Sequence, residues 1–186
     1  MKDEDIIELY WKRNENAISE TENKYGKYCH SVSYGILQNH ADADECVNDT
    51  LVGAWNSMPP QRPARLASFL GKITRNLSLN RLKYCNAEKR GNGQLETVLS
   101  ELEDCIPSNE STEQTADENL TLKTIEDFLY SQPKRKRNIF IRRYWYMHSI
   151  RDIAAVYGIS ESKTASLLFR MRNELKARLE KEGINV

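Results

Sequence analysis

Apolar residues recur three or four positions apart along most of the chain, and no segment of useful length alternates apolar with polar residues. A spacing of three to four places apolar side chains on one face of an α-helix, whereas strict alternation would indicate a β-strand. The pattern therefore predicts an all-α fold.

The amino-terminal half contains four predicted helices. They cover about residues 4–13, a segment ending near residue 38, a segment from residue 42 to the prolines at 59, 60 and 63, and about residues 64–87. Asp42 followed by Glu45 is a capping-box arrangement, which predicts that Asp42 caps the third helix. In the fourth helix, the spacing predicts four buried residues: Leu66, Leu70, Ile73 and Leu77.

The segment from residue 91 to about 119 is rich in glycine, serine and acidic residues and has few apolar ones. This composition is typical of a flexible linker. Helical spacing resumes at Leu120 and continues, with breaks near residues 133, 147 and 158, to about residue 181. We therefore predict two small helical domains, residues 1–90 and 120–186, joined by an acidic linker over residues 91–119.

Residues 149–160, SIRDIAAVYGIS, have the pattern of a helix-turn-helix. Ser149 can cap the first helix, Gly158 can adopt the left-handed conformation of the turn, and Ser160 can cap the second helix. The second helix of such a motif enters the major groove of DNA. The alternative is a helical hairpin that only packs.

Along that second helix, residues at spacings of four, three and four are expected to face inward: Thr164, Leu168, Met171 and Leu175. The remaining polar and basic residues could contact phosphates and base edges. These candidate DNA-binding residues are Ser162, Lys163, Ser166, Arg170 and Arg172.

The formal net charge of zero conceals a segregation of charge along the chain. The net charge is −6 over residues 1–60, +7 over 61–90, −9 over 91–132 and +8 over 133–186. An ordinary solvated surface mixes its signs locally. Two basic blocks around an acidic one therefore indicate two surfaces for a polyanion and separate surfaces for a cationic partner.

The fourth predicted helix offers a second candidate nucleic-acid surface. Lys72, Asn76 and Lys83 share a narrow arc opposite the apolar stripe, with Phe69 and Asn80 at its edges. Lysines can hold phosphates, amides can contact base edges, and an aromatic ring can stack on an unpaired base for about 1–3 kcal/mol. This combination suits single-stranded DNA. The alternative is an ordinary solvated basic face with Phe69 in the core.

The third predicted helix directs Glu45, Asn48 and Asp49 outward. An acidic patch of this kind could dock against a basic helix of a partner protein, although a solvated face explains the same spacing.

The sequence lacks the motifs of common enzymes. No glycine-rich phosphate loop, metal-spaced histidine pair or nucleophile elbow is present, so we expect no catalysis and no cofactor. The cysteines and histidines do not form a metal-ligand pattern, so we expect reduced thiols and no metal site; they are Cys29, Cys46, Cys85, Cys105, His30, His40 and His148. No stretch approaches the roughly 20 apolar residues of a membrane span, and we expect a cytoplasmic protein.

Taken in order, four segments resemble bacterial RNA polymerase sigma factors of the extracytoplasmic-function (ECF) class of the sigma-70 family. They are residues 3–10 (DEDIIELY), 41–55 (ADADECVNDTLVGAW), 69–77 (FLGKITRNL) and 149–160. Members of this class retain regions 2 and 4 of larger sigma factors. The resemblance covers nearly the whole chain except the linker.

The resemblance implies that the protein binds core RNA polymerase and directs it to promoters. It assigns Glu45, Asn48 and Asp49 to a basic coiled coil of the largest polymerase subunit. The fourth helix and the loop before it would capture the non-template strand of the minus-ten element, and the helix-turn-helix would bind the minus-thirty-five element. An anti-sigma factor is a further implied partner.

By position, Lys72, Asn76 and Asn80 match the family's reading residues, and Phe69 stands where the family usually has tryptophan. Ala165 and Leu167 stand where it usually has lysine and arginine, so the resemblance implies a weaker or different upstream contact. The alternative function is that of a free-standing helix-turn-helix regulator, which would bind duplex DNA without polymerase.

Overall fold

The protein's structure, a computed structural model, describes residues 1–88, 94–103 and 115–184, without the side chains of 86–88, 94–96, 103 and 115–119. Every regular element in these ranges is an α-helix, which confirms the predicted all-α fold. The helices are α1 (Asp3–Trp11), α2 (Asn16–Leu37), α3 (His40–Ser57), α4 (Leu66–Glu88), α5 (Gln94–Glu103), α6 (Thr115–Ser131), α7 (Lys134–Tyr144), α8 (Ile150–Tyr157) and α9 (Glu161–Lys181). They group into two compact units, Met1–Asn92 and Gly93–Val186.

Unit 1 has its core where α1 packs on the bundle of α2, α3 and α4. Ile6 and Tyr10 of α1 and Leu66 and Leu70 of α4 are fully buried in this core. Burying an apolar side chain of this size contributes about 1.5–3 kcal/mol. The core therefore fixes which sides of α3 and α4 remain in contact with water.

The buried stripe of α4 differs from the predicted one. Leu66 and Leu70 are buried as predicted, but Ile73 and Leu77 are only partly buried. Thr74 continues the stripe at a spacing of four and is fully buried. The prediction was wrong at Ile73 and Leu77 because Thr74 and Ser78, which pair with hydroxyl groups of α3 and α2, occupy the buried side of α4 instead.

Hydroxyl pairs connect α4 to its neighbours in unit 1. The Oγ1 atoms of Thr50 and Thr74 lie 3.0 Å apart, and the Oγ atoms of Ser33 and Ser78 lie 2.9 Å apart. Burying a hydroxyl group is costly unless it is hydrogen-bonded, and these pairs satisfy one another. Small polar side chains thus line the contacts of α4 with α2 and α3.

Gly71 lies on the side of α4 that faces α2. A Cβ atom at this position would lie 2.5 Å from the hydroxyl oxygen of Tyr28. Atoms cannot approach so closely, so a side chain at position 71 would require the Tyr28 side chain to shift.

The third helix begins before its predicted start. Asn39 is its N-cap, and the Asn39 side chain accepts a hydrogen bond from the backbone N–H of Asp42 at 3.2 Å. The prediction that Asp42 is the cap was therefore wrong. The Asp42 carboxylate instead pairs with the guanidinium group of Arg81 on α4 at 2.6 Å.

Unit 2 is built from α5 to α9, and all five helices contribute buried apolar residues to its core. Its fully buried side chains include Ile139, Ile153, Leu175 and Leu179. This core holds α8 and α9 together as the predicted two-helix motif.

The predicted linker contains a helix. Within residues 91–119 the structure forms α5, on which Val98 is fully buried and Glu101 pairs with Arg143 of α7 at 2.6 Å. The composition of the segment is acidic, but the buried Val98 and the paired Glu101, three residues apart, attach α5 to the rest of unit 2. Residues 104–114 of the predicted linker lie outside the described residues.

Among the described helices, none is both long enough and apolar enough to cross a membrane.

Candidate nucleic-acid interface

The helix-turn-helix forms through the local contacts that the sequence predicted. The Ser149 hydroxyl accepts a hydrogen bond from the backbone N–H of Asp152 at 3.0 Å. Gly158 has φ 60°, the left-handed conformation that glycine adopts without strain. The Ser160 hydroxyl accepts from the backbone N–H of Lys163 at 3.2 Å. The predicted caps and turn are confirmed.

The second helix of this motif, α9, has the predicted inner face. Thr164, Leu168, Met171 and Leu175 are all buried. Four of the five candidate DNA-binding residues are exposed on the opposite side: Ser162, Lys163, Ser166 and Arg170. The amino-terminal half of α9 thus presents hydroxyl groups and cations to solvent.

Arg172 does not join these exposed residues. Its Nη1 atom lies 3.2 Å from a carboxylate oxygen of Glu101 and donates to the hydroxyl group of Tyr144. Only 17% of the Arg172 side chain is exposed. The sequence pattern could not reveal this, because Glu101 lies 71 residues earlier in the chain.

Glu101 is the centre of a network of charges in unit 2. Arg143, which is only 3% exposed, donates to Glu101 from Nη2 at 2.6 Å, and the Tyr144 hydroxyl donates to it at 2.9 Å. Burial raises the pKa of Glu101, but the hydrogen bonds and charges of its partners outweigh that effect and lower the pKa below its ordinary value. Glu101 therefore stays ionised.

Helix α4 presents the predicted basic face. Lys72, Asn76, Asn80 and Lys83 are all exposed, at spacings of four, four and three. Phe69 is half-buried and packs against the core of unit 1. The structure therefore brings the two lysines and two asparagines together, with Phe69 at the boundary between this face and the core.

Helix α3 presents Glu45, Asn48 and Asp49 to solvent. Glu45 also lies 2.7 Å from the guanidinium group of Arg81, which binds Asp42 as well. The hydrogen bonds with Glu45 and Asp42 raise the pKa of Arg81. Arg81 was missed by the sequence analysis, since no local pattern links α4 to acids on α3.

A groove of about 550 Å³ lies between α3 and α4, next to this acidic face. It is lined by Cys46, Asp49, Leu77, Arg81, Tyr84 and Cys85. Asp49 thus belongs both to the acidic face and to the groove.

The region that carries both faces matches a known family. Residues 23–86 match the family model described as Sigma-70 region 2, a span that runs from α2 through α3 and into α4. This part of unit 1 is therefore similar to a sigma-70 region 2 domain. The resemblance noted in the sequence is thus confirmed for region 2.

Solved structures resemble this chain over most of its length. A structure of CnrH in complex with the cytosolic domain of CnrY is 18% identical, covers 95% of this chain and 96% of that chain, and has a TM-score of 0.40. RpoE in complex with the anti-sigma factor NepR from Bartonella quintana is 21% identical, covers 87% and 96%, and has a TM-score of 0.32. No curated protein matches the chain. The likeness to a known family therefore rests on the region 2 match over residues 23–86.

Proposed function

We propose that the protein is a sigma factor of the ECF class that binds core RNA polymerase and directs it to specific promoters. The observation that carries the proposal is the region 2 match over α3 and α4, which contain the exposed acidic and basic faces. A capped helix-turn-helix in unit 2 supports a second DNA contact in the same chain.

The acidic face of α3 is the proposed site for core polymerase. Asn48 and Asp49 are exposed, and within the described residues no ion pair neutralises Asp49. Glu45 lies one turn earlier, where Arg81 holds its carboxylate on the edge of the same face. A basic helix of the polymerase would place its cations opposite these groups.

The basic face of α4 is the proposed site for the non-template strand of the minus-ten element. Lys72 and Lys83 would bind phosphates, and Asn76 and Asn80 would donate and accept hydrogen bonds at base edges. Phe69, half-buried at the boundary of the core, would stack on an unpaired base. Holding bases outside the stack favours melting through binding energy alone, at a few kcal/mol per base.

The outward side of α9 is the proposed site for the minus-thirty-five element. Ser162 and Lys163 lie in the first turn, and Ser166 and Arg170 follow on the same side. This proposal leaves out Arg172, because its guanidinium group is held by Glu101 and Tyr144.

An anti-sigma factor is a further proposed partner. Anti-sigma proteins hold sigma factors away from polymerase, so such a partner would cover the acidic face of α3 and compete with core polymerase for it.

The experiment that tests the function combines Asn48→Lys with Asp49→Lys in the full chain. We expect binding to core polymerase, measured by fluorescence anisotropy, to fall at least about tenfold, since two cations would face a basic partner. Promoter-directed transcription by the reconstituted holoenzyme should fall with it. Both positions are exposed, so the fold of α3 should be unchanged.

The matched control combines Glu22→Lys with Asn23→Lys on the exposed side of α2, which changes the charge equally. The control should bind polymerase like the wild type. A free-standing regulator would instead bind duplex DNA without polymerase and would be indifferent to both pairs of substitutions.

A further inference from the structure

The first four residues of α7, Lys134 to Arg137, are all cationic, and the first turn contains no acidic residue. Three of the four, Lys134, Arg135 and Lys136, are exposed. The backbone N–H groups at the start of a helix make cations there unfavourable. The stability of α7 therefore does not explain the four cations at its start. This suggests that their charges serve a contact outside the unit.

Contacts within unit 2 fix this segment beside the helix-turn-helix. The Nη2 atom of Arg135 donates a hydrogen bond of 2.6 Å to the carbonyl oxygen of Tyr157, the last residue of α8. The guanidinium carbons of Arg135 and Arg142 lie 5.9 Å and 6.0 Å from the centre of the Tyr157 ring. We refer to these five cations, Lys134, Arg135, Lys136, Arg137 and Arg142, as the α7 basic cluster.

Tyr157 links the α7 basic cluster to the DNA-reading helix. Gly158 follows Tyr157 directly, and α9 begins at Glu161 after the Ser160 cap. The cluster thus adjoins the turn that leads into α9.

The charge of the α7 basic cluster is not neutralised within the described part of unit 2. No ion pair joins any of its five cations to a carboxylate there. Contacts with the rings of Tyr157 and Tyr130 position three of the arginines but leave their positive charge in place. The cluster therefore presents a net positive surface next to the α9 turn.

We propose that the α7 basic cluster binds the phosphate backbone of duplex DNA beside the bases that α9 reads. This inference rests on the proposed function and adds a contact that carries no sequence information. Guanidinium and ammonium groups bind phosphate oxygens through charge-assisted hydrogen bonds. A DNA backbone offers a row of such phosphates. A row of anions matches a run of consecutive cations better than a single acidic residue of a protein partner would.

The test combines Lys134→Gln with Lys136→Gln in the full chain, assembled with core polymerase. These two lysines are exposed and take no part in the contacts with Tyr157, so the helix-turn-helix keeps its support. Promoter affinity is measured by anisotropy over a range of KCl concentrations. The matched control combines Lys123→Gln on α6 with Lys181→Gln at the end of α9, which removes the same charge from other exposed positions.

We expect the Lys134→Gln/Lys136→Gln holoenzyme to bind promoter DNA about 3- to 10-fold more weakly near 0.1 M salt. The slope of log affinity against log salt should become shallower by about one for each lysine that contacts phosphate. The loss should be the same on promoters with altered upstream bases, since phosphates are common to every sequence.

Two results would overturn the proposal. One is an affinity and salt slope equal to those of the control. The other is weaker binding of core polymerase with an unchanged DNA slope, which would assign the cluster to a polymerase contact. Failure of the proposed function itself is distinguishable, because the wild-type protein would then direct no promoter binding at all.

Discussion

At the residue scale, Gly71 of α4 lies against the hydroxyl group of Tyr28 on α2, where a Cβ atom would approach that oxygen to 2.5 Å. Glycine in a helix interior costs about 1 kcal/mol relative to alanine. Glycine here therefore gives up that helix stability and leaves room for the Tyr28 hydroxyl group, which an added Cβ atom would displace.

We expect Gly71→Ala to destabilise unit 1 by about 1 kcal/mol, because the cost of overpacking exceeds the gain in helix propensity. In a Tyr28→Phe background, which lacks the hydroxyl group, the same substitution should be neutral or stabilising. Urea unfolding of the four proteins gives the coupling free energy, which should be about 1 kcal/mol or more. Additive effects of the two substitutions would contradict the proposed contact.

The burial of hydroxyl groups on α4 could not be predicted from the sequence alone. The spacing of four that predicted Leu66 and Leu70 in the core continues to Thr74 and Ser78, which are fully buried. A threonine or serine is compatible with either surface or core. Its burial depends on a partner hydroxyl across the helix pair, here Thr50 and Ser33, and that pairing is set by packing.

At the element scale, the helix-turn-helix was predictable because its signals are local. Ser149 and Ser160 each accept a hydrogen bond from a residue three positions later. Gly158 supplies the left-handed turn. Such contacts need no distant partner, so the order of residues alone defines them.

Helix α5 was not predictable in this way, since its stability depends on unit 2. Glu101 binds Arg143, Tyr144 and Arg172, which lie 42, 43 and 71 residues later in the chain. The glycine-, serine- and acid-rich composition around it indicated a linker. Residues 94–103 instead form α5, which a buried ionic network joins to the rest of unit 2.

We expect Glu101→Gln to destabilise unit 2 by roughly 3 kcal/mol at pH 7, because it leaves the buried guanidinium of Arg143 without a counter-charge. Since the pKa of Glu101 is lowered in the folded state, its contribution is fully present above the unfolded pKa of about 4.3 and is lost as pH falls through the lower folded value. The difference between wild type and variant should therefore be constant from pH 6 to 8 and shrink below about pH 4.

Hydrogen exchange measured on peptides from α7 and α9 reports the stability of unit 2 separately from that of unit 1. Glu126→Gln, at an exposed position of α6, is the control and should leave exchange unchanged. Equal protection in the Glu101→Gln variant and the wild type at pH 7 would show that the network does not stabilise the unit.

At the scale of the whole molecule, the charge blocks of the sequence correspond to separate surfaces in the structure. The block with net charge +7 supplies the exposed Lys72 and Lys83 of α4, and the block with net charge +8 supplies Lys163 and Arg170 of α9. The −6 block supplies the exposed acidic face of α3. A formal charge of zero is thus compatible with strong binding of a polyanion.

We expect the promoter affinity of the wild-type holoenzyme to fall steeply with salt, because binding displaces counterions from phosphates. Four phosphate contacts by Lys72, Lys83, Lys163 and Arg170 would contribute about −3 to −4 to the log–log slope, and contacts by the α7 basic cluster would add to it. Anisotropy titrations at several KCl concentrations measure it. A slope shallower than about −1 would contradict the proposed basic faces.

The sequence by itself determined the helices other than α5, the caps of the helix-turn-helix and the outward residues of α3 and α4, because hydrophobic periodicity and capping act over a few residues. Only the tertiary structure decided which charged residues remain free of internal ion pairs and can bind a partner. Arg81 joins Asp42 and Glu45, and Arg172 joins Glu101, across distances of 36 to 71 residues along the chain. Ion pairs of this kind form only when packing brings two helices together, and no local pattern encodes which helices will meet.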